Sequence, residues 1–155
     1  IDKYRKVLDK NSHLSFIRFM RGGLANIDYP SFCGHDDLYQ MYNDFPYFYT
    51  NQAALWRTRD LEKIHQMGPA LHIGNKDWQN SFEYQATKTC QDLDIQGLYC
   101  HHGEPKRGLY HYDSTVFPHI STALVKGKWN VTEYPKEMSV MIKEYGIDIK
   151  TRGYV

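Results

Sequence analysis

The sequence predicts an α/β fold, a mixed sheet with flanking helices. Helix-patterned segments at residues 1–9, 58–64, 81–90 and 134–145 alternate with short apolar runs at 14–20 and 95–100. No repeat, low-complexity stretch or Pro/Ser-rich linker divides the 155 residues, which predicts one compact domain over 1–155.

The elements follow in order. Ile1 to Asp9 places Ile1, Tyr4, Val7 and Leu8 on one side of a helix, and Asn11-Ser12 ends it. Leu14 to Met20 reads as a strand closed by Gly22-Gly23. From Asn26 to Pro46, Pro30, Gly34 and a polar His35-Asp36-Asp37 step read as loop. Tyr47 to Trp56 reads as a strand running into a helix start, and Thr58 is placed to cap the helix that follows. Leu61 stands where a full capping box would carry Glu or Gln. Ser81 to Cys90 is a second helix, with Asp77, Asn80 and Ser81 as candidate caps. Ile95–Cys100 and Gly108–Tyr112 read as strands. Tyr134 to Tyr145 closes the series as a helix with Met138, Met141 and Ile142 inward, stopped by Gly146.

Composition narrows the function. Nineteen Lys+Arg against eighteen Asp+Glu leave a formal charge of +1, too balanced for a nucleic-acid binder working through a basic face. No run has the length of a membrane span, and no charged-then-apolar leader is seen. Three cysteines without metal-ligand spacing suit a reducing, cytoplasmic compartment. Thirteen Tyr, eight His and a mean hydropathy of −0.65 suggest flat polar surfaces suited to sugar, nucleotide or peptide contact.

Several segments carry candidate chemistry. In Phe48 to Arg57, Asn51 and Gln52 sit beside small residues, where amides read hydroxyls as donor and acceptor; a buried junction explains them equally well. Glu83 falls in the first turn of a helix. The helix dipole suffices to explain it and is the stronger reading, although a general base is also placed there. His111 and Asp113 share a face if their segment is a strand, an arrangement fit for a divalent cation; a lone His in an aromatic strand is more often structural. Cys100 to Glu104 and His35 to Asp37 are ligand-rich but lack a paired metal motif. Lys126-Gly127-Lys128-Trp129 fits a phosphate or sugar contact, or more simply a solvated turn. Asn130-Val131-Thr132 matches a glycosylation acceptor without a secretory cysteine pattern.

Phe48-Tyr-Thr-Asn-Gln-Ala-Ala-Leu-Trp-Arg57, followed by Trp78 to Phe82-Glu83, resembles the acceptor-side half of GT-A-fold glycosyltransferases. Leu109 to Ser114 and Phe117 to Asn130 resemble the tail of glycosyltransferases from large DNA viruses, chlorella viruses in particular. The resemblance spans roughly Phe48 to Val155, and more weakly Phe16 to Phe19. It implies sugar transfer from a nucleotide-diphosphate donor, a uridine one by preference, to a glycan hydroxyl, with Mn²⁺ or Mg²⁺ on the diphosphate. By carry-over it makes Glu83 the base, places Asn51, Gln52, Trp56, Trp78 and Lys126 on the substrate, and brings His111 to the metal. It also implies the cytoplasm of a virus-infected host. The family's Asp-x-Asp metal motif has no convincing copy, so the donor-binding part is expected to precede Ile1. On that reading this chain alone would not be an active enzyme, and its metal binding would be incomplete. Two other classes stay open: a non-catalytic carbohydrate-binding module, and a metal-dependent hydrolase using the histidines.

Overall fold

The computed structural model describes residues 1–22, 29–67, 81–107 and 111–155, with the side chain of His111 outside the description. Twelve elements are named among these residues. They run α1 (Asp2–Lys10), β1 (Leu14–Arg18), β2 (Leu38–Met41), β3 (Ala54–Trp56), α2 (Thr58–Met67), α3 (Phe82–Asp92) and β4 (Gln96–Cys100). The pairs β5 (Lys106–Arg107) with β6 (His111–Tyr112), and β7 (Leu124–Val125) with β8 (Lys128–Trp129), precede α4 (Pro135–Glu144). The α/β class and the mixed sheet with flanking helices are therefore as expected.

The main sheet has the order β2-β4-β1-β3, with β1 and β4 parallel and both outer strands antiparallel to their neighbours. Joining parallel strands requires a long crossover, and α2 and α3 lie within it. Side chains alternate across β1 and β4, so Phe16 and Tyr99 enter one core while Ile17 and Leu98 enter another. The first core is closed by Ile64 of α2 and by Ala86 and Cys90 of α3; the second by Tyr4, Val7 and Leu8 of α1. Both faces of the sheet are covered, which is why all five residues of β1 are buried.

Close packing at the sheet centre depends on one small residue. Phe16 stands in register with Gly97 on one side and Trp56 on the other. Its ring stacks on Trp56 at 4.3 Å and meets Phe48 edge-on at 5.2 Å. A Cβ on Gly97 would lie 2.1 Å from that ring, so no larger residue fits there without repacking.

Several boundaries differ from expectation. The stretch read as loop contains β2, whose buried Leu38 and Met41 point to opposite faces and so give no alternating signal. Tyr47 to Ala53 is turns and bends, and only Ala54–Trp56 is strand. Ile1 precedes α1 and is 65% exposed, while Tyr4, Val7 and Leu8 are buried. Thr58 is the first residue of α2 rather than its cap. In α4, Met138 is fully buried, whereas Met141 and Ile142 are half-buried; Gly146, at φ +61°, follows the helix end. Gly23, Asp77, Asn80 and the first three residues of the predicted strand 108–112 lie outside the described residues. No helix among the described residues is long and apolar enough to cross a membrane.

Candidate functional site

A cleft of about 640 Å³ opens where β1 ends. Its lining joins Arg18 and Gly22, the 45–53 segment, Glu83 at the start of α3, and the 117–122 segment. In open sheets, ligands generally bind beyond the carboxyl ends of the parallel strands, and Arg18 is the last residue of β1.

Hydrogen bonds to this strand end hold the walls. The Arg18 guanidinium donates from Nη2 to the carbonyl of Tyr47 (3.1 Å) and to that of Phe48. The Phe19 N–H donates to Ala53 O at 3.0 Å, and the Tyr49 N–H to Thr87 Oγ1 of α3 at 3.1 Å. On the other side, the Tyr112 N–H donates to Arg21 O at 3.1 Å, and the Ser114 hydroxyl donates to Phe19 O. The Phe117 N–H donates to Ser114 Oγ at 3.0 Å, and the Phe117 ring lies along Phe19 at 6.4 Å, swinging residues 117–122 over the cleft.

Three sequence-predicted residues meet here: Asn51, Gln52 and Glu83 all line the cleft. Glu83 does not cap its own helix. Ser81 does that, its Oγ accepting the Tyr84 N–H at 3.3 Å. Glu83 instead reaches across, and its Oε1 accepts the backbone N–H of Asn51 at 2.7 Å. The helix start thus favours an anionic side chain, while a separate residue satisfies the cap.

The other predicted residues are elsewhere. Trp56 is not among the cleft-lining residues; it packs on Phe16 and, at 5.7 Å, on Tyr49. Lys126 is exposed in the two-residue β7–β8 turn, where it and Gly127 have φ +50° and +80°, the left-handed pair of a type I′ hairpin. Trp78 lies outside the described residues. The backbone of His111 pairs with Arg107 in β6, and its side chain is outside the description.

Sequence reasoning missed Arg18, Phe117, His119 and Ser121. Arg18 is 3% exposed, and burial lowers its pKa to about 10, opposed chiefly by the Glu83 carboxylate. His119 and Ser121 form a local pair. Ser121 Oγ lies 2.7 Å from His119 Nε2, and His119 Nδ1 lies 2.9 Å from Phe117 O. A donating Nδ1–H leaves Nε2 to accept the serine proton. Phe45, Tyr47 and Phe117 add aromatic surface to the lining.

The remaining ligand-rich segments are tied inward. Asp37 Oδ2 accepts from Lys3 Nζ (2.8 Å) and Tyr4 OH (3.0 Å), joining α1 to the loop before β2. Glu104 accepts the His102 N–H at 2.6 Å, and the Thr115 N–H and hydroxyl at 3.1 and 2.8 Å. Burial alone would raise the Glu104 pKa; these hydrogen bonds outweigh it and hold the carboxyl at about 2. Among the described residues no group of three or more His, Cys, Asp or Glu is arranged to hold a metal ion. The donor groups of the described residues therefore offer no seat for Mn²⁺ or Mg²⁺. No family model, curated protein or solved structure matches the chain.

Proposed function

We propose that the cleft is the acceptor side of a GT-A-like glycosyltransferase, with Glu83 as the base. A glycan hydroxyl gives its proton to the Glu83 carboxylate as its oxygen attacks the anomeric carbon of a nucleotide-diphosphate sugar. The bond from that carbon to the diphosphate oxygen breaks, and the nucleotide diphosphate leaves with the electron pair. Uridine is the favoured nucleotide.

One observation carries this reading: Glu83 lines one cleft with Asn51 and Gln52, although it lies 32 positions beyond Asn51 in sequence. The chemistry of each fits its place. The amides of Asn51 and Gln52 donate to and accept from sugar hydroxyls, and the Asn51 N–H fixes one oxygen of the base. The cleft's aromatic surface suits the apolar faces of a sugar ring.

Calorimetric titration of the protein with UDP- and GDP-sugars, and separately with a glycan panel, tests the proposal. Saturable binding of a nucleotide sugar that heightens glycan affinity supports transfer. Glycan binding without nucleotide-sugar affinity replaces transfer with a carbohydrate-binding module. Absence of both removes the sugar reading.

A further inference from the structure

We infer that Arg18 forms an anion subsite in the cleft, receiving a phosphate oxygen of the donor or a carboxylate oxygen of the acceptor while the acceptor's reacting hydroxyl faces Glu83. The inference rests on the sugar-transfer reading for the identity of the ligand, but on separate observations for the subsite.

Charge and burial come first. Arg18 is a guanidinium at 3% exposure, and among the described residues no carboxylate lies within ion-pair distance of it. A buried cation without a contacting anion is costly, and a bound anion relieves that cost. Both of its hydrogen bonds among the described residues leave from Nη2 and end on neutral carbonyls. A guanidinium has five N–H donors in a planar fork, so Nη1 and Nε retain donors suited to a phosphate or carboxylate.

Access comes second. Arg18 lines the cleft beside Gly22, and a Cβ built on Gly22 would stand 3.4 Å from Arg18 Nη1. The glycine leaves this flank of the guanidinium uncovered, and any larger residue would shade it. Nη2, meanwhile, is fixed by the Tyr47 and Phe48 carbonyls, so the fork is oriented before a ligand arrives.

Two sources supply the same anionic oxygen: the diphosphate of the donor, or a carboxylate on an acidic acceptor sugar. Wild-type protein is titrated with UDP against uridine, with pyrophosphate alone, and with glucuronate-bearing against glucose-bearing disaccharides. The charged member of one pair is expected to bind at least about tenfold tighter, the worth of one charge-assisted hydrogen bond. A preference within the UDP pair assigns the donor; within the disaccharide pair, the acceptor. Gly22→Val is expected to erase the preference while leaving Arg18 and its carbonyl bonds in place, and Arg18→Gln to do the same if it folds. Equal binding of charged and neutral members overturns the subsite but leaves sugar transfer standing. Pyrophosphate binding lost in Gly22→Val, with no sugar bound, keeps the subsite and overturns transfer. A charge preference that survives Gly22→Val places the anion elsewhere and overturns the subsite.

Discussion

The carboxylate of Glu83 and the backbone of Asn51 are joined at 2.7 Å, which ties the start of α3 to the segment leading to β3. Removing the charge and removing the bond are therefore separable. Glu83→Gln keeps an oxygen for the Asn51 N–H, and transfer by the complete enzyme is expected to fall by about 10²–10⁴-fold, the usual contribution of a general base. Its melting temperature is expected to stay near wild type. Glu83→Ala loses both and is expected to cost about 1 kcal/mol of stability besides. Assay of nucleotide release beside calorimetric unfolding checks both, and full turnover in Glu83→Gln would exclude the residue as base.

Gly97 faces the Phe16 ring with no room for a methyl group. Gly97→Ala is expected to lose about 3 kcal/mol or more, because the obstacle is a ring already stacked on Trp56 and met edge-on by Phe48. Urea unfolding measures the loss. A wild-type midpoint would show that Phe16 has another rotamer to occupy.

Acid sensitivity is expected to centre on Glu104. Its hydrogen bonds depress the folded-state pKa from 4.5 to about 2, and those from Lys3 and Tyr4 outweigh burial to depress that of Asp37. A depressed carboxyl contributes its full stability above the unfolded pKa and loses it as pH falls towards the folded one. Stability is therefore expected to decline between about pH 4.5 and 2. Denaturation at several pH values should show a shallower decline in Glu104→Gln; an unchanged slope would assign the acid transition to other groups.

The three thiols are expected to differ in reactivity. Cys90 and Cys100 are buried, and burial pushes each pKa up to about 12, whereas Cys33 is exposed. A thiol-specific reagent should modify one cysteine rapidly in native protein and all three in denaturant. Rapid native modification of Cys90 would mean that the α3 side of the core opens readily.

Where side chain and local pattern agree, the fold was readable from the chain. The buried stripe of α1, the Ser81 cap of α3 and the apolar runs that form β1 and β4 all arise from residues a few positions apart. β2 was hidden because its buried residues serve both cores. The cleft divides in the same way. Asn51, Gln52 and Glu83 carry polar chemistry that marks them locally. Arg18 belongs to an apolar strand run, and its role emerges from carbonyls 29 and 30 positions away. Ser121 and His119 are near neighbours, but Ser114, the anchor that starts their swing over the cleft, binds a carbonyl 95 positions away.

The cleft's walls come from segments far apart in the chain that the folded sheet gathers at the end of β1. An unfolded chain has no fraction of this site to offer. Ligand affinity and global unfolding are thus linked by mass action, and a ligand at a hundred times its Kd should add about 2.7 kcal/mol to the unfolding free energy. A thermal-shift screen of sugars, nucleotides and anions can therefore find the occupant of the cleft before any reaction has been assayed.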